Sequence, residues 1–236
     1  MSKDSTEKGG VVEIGYWRIR GLLEPLKLLC EYAGQEYVLR QWSFAEVEDY
    51  RAFKETQPVY CNLPFLRDGD LFLVQSSAIL RHLGRRHGLL GDSPLEQALA
   101  DVVCEQVMDL RNDFINVCYS KDEATFNALA EKYVSTQLPL SLRKLSCMLG
   151  ECPFFGGQRP CYADFHAYEM LKQNSLFSPA TLLPFPSLGA YLLRFEAIPA
   201  VAAYLSSDRH VQHPINNSMA MWGTVEKHAP FQSSTH

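Results

Sequence analysis

The chain has no Cys-x-x-Cys pair, no apolar run long enough to cross a bilayer and no cluster of lysine and arginine along a predicted helix. Each absence removes a class of function. Without a long apolar run there is no candidate transmembrane helix. A formal charge of −5 with no basic stripe gives nucleic acid no electrostatic footprint. The opening residues MSKDSTEKGG lack the apolar stretch of a secretory signal, so residues 1–10 read as a flexible polar tail. The seven cysteines (Cys30, Cys61, Cys104, Cys118, Cys147, Cys152 and Cys161) are an odd number, and free thiols in a reducing compartment are the simplest reading. The expectation is a cytoplasmic protein. The pairs His82/His87 and His210/His213 have no acidic or thiol partners arranged for a metal, so no metal is expected. No fixed-period repeat is visible.

Present instead are 236 residues, 47% hydrophobic and 21% charged, enough for a real core in one large or two modest domains. The first part mixes strands and helices. VVEIGYW is β-branched and apolar; EPLKLLCEYAG reads as a helix with Pro25 in its first turn and Gly34 as its stop. YVLRQWS reads as a second strand, followed by an irregular polar stretch through AEVEDYRAFKETQP. PFLRDGDLFLV reads as a hairpin turning at Asp68-Gly69, and a helix follows. This order suits one small mixed sheet with helices packed on it.

Beyond LLGDSPLE the strand signals stop. Ser93 and Glu96 form a capping box around Pro94, so a long helix starts there. Leu99, Val103, Val107, Leu110, Phe114 and Cys118 form its apolar stripe. FNALAEKYVSTQ, LSLRKLSCML, DFHAYEMLKQ, SLGAYLLRFEA and PAVAAYLSS read as further helices, and the last twenty or so residues as irregular. The fold class is an α+β N-terminal domain followed by an all-α C-terminal helical domain.

In YCNLPFLRDGDLFLVQSSAILRHLGRRHG, Pro64 heads a strand and Gln75-Ser76 opens a helix a few residues later. Free N–H groups at such a helix start favour an anion. Taken singly, Pro64 is equally an ordinary edge-strand start and Ser76 an ordinary N-cap. Tyr16, at the end of the first strand, is equally a buried tyrosine with a satisfied hydroxyl.

Taken together, GYWRIRGLLEPLKLL, NLPFLRDGD, QSSAILRHLGR, VMDLRNDF and ADFHAYEML resemble the cytosolic glutathione transferases, in particular their mu and pi classes, from about Val11 to Pro214. The resemblance implies a thioredoxin-like glutathione-binding domain over 11–88, a linker over 89–95, an all-helical domain over 96–214 and an irregular segment over 215–236. It also implies an enzyme that conjugates the thiolate of reduced glutathione to small hydrophobic electrophiles, with glutathione as co-substrate and no cofactor. A hydrophobic-ligand carrier of the same fold is the alternative; a non-catalytic structural relative is disfavoured by the intact tyrosine, Asn-Leu-Pro and Gln-Ser set.

The family's proline is cis, so a cis Leu63-Pro64 bond is implied, with the Leu63 backbone pairing with the cysteinyl part of glutathione. Ser76 would take the γ-glutamyl carboxylate, with Gln75 and Asn62 adding polar contacts. Tyr16 would be catalytic, its phenol donating to the glutathione sulfur and favouring the thiolate. Trp17, Ile19, Leu22, Ile115 and Tyr119 match the electrophile pocket, with Trp17 also at the glutathione site. Asp109 matches an acid that reaches a partner subunit's glutathione, and Tyr60 an aromatic plugged into the partner of a homodimer. At the glycyl end Trp42 comes too early in the chain; Tyr50, Arg51 or Lys54 falls near the expected place, Lys54 being the plausible cation. Cys161 stands where the family has a serine or threonine helix cap, a substitution that typically costs about 1 kcal/mol.

Overall fold

A computed structural model describes residues 10–232. The tail expected over 1–10 therefore lies outside the described residues except for Gly10, whose carbonyl accepts the Gln35 side-chain amide at 3.0 Å.

Strands β1 (Val12–Trp17), β2 (Tyr37–Trp42), β3 (Phe65–Asp68) and β4 (Leu71–Val74) form one mixed sheet in the order β2-β1-β3-β4. β1 runs parallel to β2 and antiparallel to β3, so β1 is central and its end can carry a buried side chain. Val12, Ile14 and Tyr16 alternate into the core, as the two-residue strand period requires. Between them Gly15 lies beneath the Phe65 ring; a Cβ there would stand 1.9 Å from a ring carbon. Helix α1 (Glu24–Ala33) stops at Gly34, which takes the left-handed conformation at φ 66°. The hairpin turns through Gly69-Asp70, with Gly69 at φ 57°, one residue later than the Asp68-Gly69 reading.

The stretch read as irregular after β2 is instead a short 3₁₀ turn, Phe44–Glu46, running into helix α2 (Val47–Glu55). Its signal was in the sequence: Ser43 and Glu46 form a capping box, with the Ser43 amide donating to Glu46 at 2.6 Å. Tyr50 and Phe53 then pack on Trp42 at ring distances of 5.2 and 5.0 Å.

After helix α3 (Ser76–Arg86) the chain is helical: α4 (Pro94–Cys118), α5 (Glu123–Lys132), α6 (Leu138–Leu149), α7 (Tyr162–Phe177), α8 (Pro186–Glu196) and α9 (Pro199–Leu205). α4 begins at Ser93-Pro94 as its capping box predicts. Its core stripe differs in one member: Leu99 is 53% exposed and Ala100 is buried in its place. Leu95, Leu99 and Val102 form a separate exposed apolar stripe.

Helix α7, buried along most of its length, is the axis of the helical half. Cys161 is its N-cap, and Asp164 at the third helical position supplies the reciprocal arm of a capping box by accepting the Cys161 amide. Asp164 accepts the amides of Cys161, Phe155 and Gly156 at 2.8, 2.9 and 3.0 Å. Residues 215–232 contain no helix or strand; Ile215, Asn216, Ala220 and Trp222 to Thr224 are buried, whereas 225–230 are exposed. Trp222 sits edge-on to Phe114 and Phe177, and Phe231 stacks on Phe177. Among the described residues no single helix is long and apolar enough to cross a membrane. The α8–α9 pair passes only jointly and is bent by 82°.

Candidate active site

A cavity of about 750 Å³ opens where the end of β1, one face of α2, the segment before β3, the start of α3 and the middle of α4 converge. Of the residues singled out in the sequence, it is lined by Tyr16, Trp17, Leu22, Lys54, Asn62, Leu63, Pro64, Gln75 and Ser76. The Leu63-Pro64 bond is cis, as the resemblance implied. Tyr50 and Lys54 occupy one helical face of α2 and both line the cavity. Arg51 does not; it pairs with Glu48. Trp42 is buried behind Tyr50 rather than at the cavity wall.

Gln75 is the one described non-glycine residue with positive φ, at 70°. Such a conformation costs about 1–3 kcal/mol and persists where surrounding structure enforces it, often at ligand clamps. Here it turns the chain from β4 directly into α3, placing buried Ser76 at the helix start on the cavity wall.

Tyr16 is 6% exposed. Burial raises its phenol pKa above the usual value, partly offset by the nearby Leu22 backbone amide and by the charge of Arg111. Tyr16 is therefore an O–H donor at neutral pH. The cavity also holds Arg81, Glu105, Met108, Arg111 and Asn112, none of which sequence reasoning placed there as a site residue. Arg81 is paired with Asp101 and Glu105 at 2.8 and 3.5 Å. Lys54 and Arg111 have no ion-pair partner among the described residues, so the cavity presents unneutralised positive charge to an anionic ligand. The spacing of Glu105, Met108 and Asn112 on α4 was a legible signal. That this face meets α3 and β1 was not.

The remaining expected site residues lie elsewhere. Ile19 lines a second groove of about 400 Å³, between the Trp17–Ile19 segment, Trp42–Phe44 and the packed C-terminal segment around Asn216–Ser218. Trp17 borders both spaces. Ile115 and Tyr119, near the end of α4, line neither. The Tyr119 hydroxyl accepts the Asn217 amide at 3.1 Å, and burial raises its pKa, with Tyr16 close enough to add to the shift. Asp109 borders a separate pocket of about 260 Å³ with Asp113, Ser141 and Lys144. Tyr60 is 56% exposed, its ring 6.2 Å from Phe72. No group of three or more His, Cys, Asp or Glu among the described residues could hold a metal.

Residues 12–85 match the family described as glutathione S-transferase, N-terminal domain, and residues 108–208 match glutathione S-transferase, C-terminal domain. The chain belongs to the glutathione S-transferase family. It is 38% identical to glutathione S-transferase Mu 3 of Homo sapiens over 216 residues, covering 89% of this chain and 94% of that one. Glutathione S-transferase Mu 5 of Rattus norvegicus is 37% identical with the same coverage. Among solved structures, a pi-class glutathione S-transferase of Onchocerca volvulus superposes with a TM-score of 0.80 at 27% identity, covering 89% of this chain and 99% of that one. The glutathione S-transferase Blo t 8 gives 0.81, also at 27% identity, covering 88% and 98%. The thioredoxin-like N-terminal domain and helical C-terminal domain are thus those of a glutathione S-transferase, with mu-class relatives in sequence.

Proposed function

We propose that the protein is a glutathione transferase that binds reduced glutathione along the main cavity and joins its sulfur to small hydrophobic electrophiles. The observation that carries this reading is the convergence of Tyr16, the cis Leu63-Pro64 segment and the Gln75-Ser76 helix start on one cationic cavity. Glutathione is an extended tripeptide with two carboxylates and a thiol. The γ-glutamyl carboxylate sits at Ser76 and the start of α3, where the helix dipole and free amides favour an anion. Asn62 and Gln75 add polar contacts, and Leu63 pairs with the cysteinyl backbone in the manner of an added strand. Lys54 takes the glycyl carboxylate, with Tyr50 and Trp17 flanking it. This directs the sulfur to Tyr16.

The thiolate is the reactive species, and a free alkyl thiol near pH 7 is mostly protonated. Tyr16 donates a hydrogen bond that favours the charged sulfur, and the Arg111 charge acts in the same direction. The sulfur then attacks the electrophile, forming the carbon–sulfur bond; the leaving group departs, or in an addition the electrophile takes up a proton. The electrophile enters past Trp17 and Leu22 from the groove bordered by Ile19, with Ile115 and Tyr119 behind it. Glutathione is consumed as a co-substrate, and none of these steps calls on a cofactor. Seven free cysteines suit the reducing cytosol in which glutathione is abundant.

The working unit in this reading is a homodimer. The exposed stripe Leu95, Leu99 and Val102 on α4, together with exposed Val59 and Tyr60, gives it an apolar contact surface. Asp109 then faces the partner's cavity. Retention on immobilised glutathione followed by conjugation of an aromatic halide tests the function. A protein that neither binds the resin nor accelerates conjugation is not a transferase.

A further inference from the structure

Outside the cavity, the most buried ionic contact among the described residues joins the segment after β1 to the central helix of the other half. Arg20 is 4% exposed and Glu169, on α7, 0%. Arg20 Nε and Nη2 donate to the two Glu169 oxygens at 3.1 and 2.7 Å, a two-pronged pairing. The Gln173 amide donates to Glu169 Oε1 at 2.7 Å, and Arg20 Nη1 donates to the Gln212 carbonyl at 3.3 Å. The backbone on either side is held as well. The Arg20 amide donates to the Pro214 carbonyl at 2.9 Å and the Gly21 amide to the Ile215 carbonyl at 3.1 Å. Gly21 itself packs against the Tyr16 hydroxyl, where a β-carbon would stand 2.8 Å from the oxygen.

We propose that the Arg20–Glu169 pair is a positioning device for the conjugation reaction, holding the Gly21 backbone against the Tyr16 hydroxyl and so setting how strongly Tyr16 stabilises the thiolate. The inference rests on the glutathione-conjugating reading. Neither residue touches the cavity; both act through the segment between them and Tyr16. Backbone pressed against the phenol fixes where its hydroxyl lies, and a donor held in place meets the sulfur better than one free to shift. A buried pair is a poor source of net stability, because desolvation consumes much of its attraction. Its fork geometry, however, fixes orientation, and orientation is what a hydrogen-bond donor aimed at a developing charge requires.

The test uses the full-length protein in three forms beside wild type: Glu169→Gln, Glu169→Asp, and the double variant Arg20→Met with Glu169→Leu. Replacing both members with apolar residues of similar volume removes the orientation without leaving a buried unpaired charge. The readouts are the melting temperature, the ultraviolet titration of the bound thiol, and kcat and KM for glutathione. The double variant is expected to melt near wild type, with the thiol pKa raised by about one unit and kcat at neutral pH down about tenfold. Its glutathione KM should stay within about twofold, because a donor felt only by the charged sulfur changes kcat rather than uniform binding. Glu169→Asp, which keeps the charges but shortens the reach, should raise the thiol pKa less. A thiol pKa equal to wild type in the double variant, or in Glu169→Asp should the double variant not fold, overturns the proposal and leaves the pair a structural contact. A wild type that shows no bound thiolate and no conjugation overturns the functional reading, and this inference with it.

Discussion

Gly21 lies against the Tyr16 hydroxyl so closely that a β-carbon on it would stand 2.8 Å from the phenol oxygen, and its φ of 38° lies in the left-handed region. The backbone after β1 can approach Tyr16 only because no side chain intervenes. Gly21→Ala should therefore displace the hydroxyl, or push the segment away from it. Misplacing a reacting group by about 1 Å can cost about 100-fold in rate, so kcat should fall by about 10- to 100-fold. Glutathione affinity measured by equilibrium binding should change much less. Unchanged kcat in a folded Gly21→Ala protein would show that the close approach has no part in catalysis.

Tyr16→Phe keeps the ring and its packing and removes only the donor. A hydrogen bond to a charged partner contributes about 1.5–3 kcal/mol, or about 10- to 150-fold in the thiolate equilibrium. The bound thiol pKa should rise by about one to two units. Because the lost stabilisation acts on the anion alone, kcat should fall at neutral pH and recover in alkali, where the thiol ionises unaided. Ultraviolet titration of the bound thiolate in both proteins checks this; identical curves would remove Tyr16 from the mechanism.

Lys54 and Arg51 separate two registers of α2 that the sequence leaves open. Lys54 lines the cavity without an ion-pair partner among the described residues, whereas Arg51 is paired with Glu48 on the exposed face. Lys54→Ala should raise the glutathione KM with little change in kcat, the mark of binding shared equally by ground and transition states. Arg51→Ala should leave both constants near wild type. Steady-state kinetics with glutathione as the varied substrate would expose the reverse pattern.

Tyr60 stands 56% exposed beside Val59, which is fully exposed. Sedimentation should find the wild type dimeric at micromolar concentration and Tyr60→Ala shifted toward monomer. Activity should fall with it, since Asp109 would lose the neighbouring cavity. A monomeric wild type would contradict the assembly.

His166 lies buried in α7 with neither ring nitrogen hydrogen-bonded. Burial, with a smaller contribution from Arg111, lowers its pKa to about 3. Its folded pKa lies below the ordinary 6.5, so below that pH the unfolded chain binds the proton and the folded protein does not. Stability is thus lost as pH falls from about 6.5 towards 3, by about 2–3 kcal/mol at pH 4.5. His166→Leu should stabilise the protein at neutral pH, because buried groups without partners cost about 1–3 kcal/mol. Its advantage should widen in acid. Urea titrations at pH 7 and 4.5 that show no widening would refute the assignment.

What could be read from the chain alone was whatever depends on local geometry. The alternation that buries Val12, Ile14 and Tyr16, the stop at Gly34, the capping box at Ser93-Glu96 and the helix start at Gln75-Ser76 are each set by neighbours a few residues away. Even α2, read as irregular, was announced by Ser43 and Glu46. The Asn62-Leu63-Pro64 and Gln75-Ser76 parts of the cavity wall were read through the family resemblance, because their spacing alone fits an ordinary edge strand and N-cap equally well. What only the folded protein decided was which faces meet. Leu99 fits a helical stripe as well as Ala100 does, yet is exposed, because the turn of α4 relative to α7 is fixed by packing between distant residues. Arg81, Glu105 and Arg111 reach the cavity because α3 and α4 come together beside β1. Arg20 and Glu169, 149 residues apart, find each other only once the two halves close. Spacing along the chain carries the period of a helix or strand, but not the contacts between elements, and the electrostatics around Tyr16 are made of those contacts.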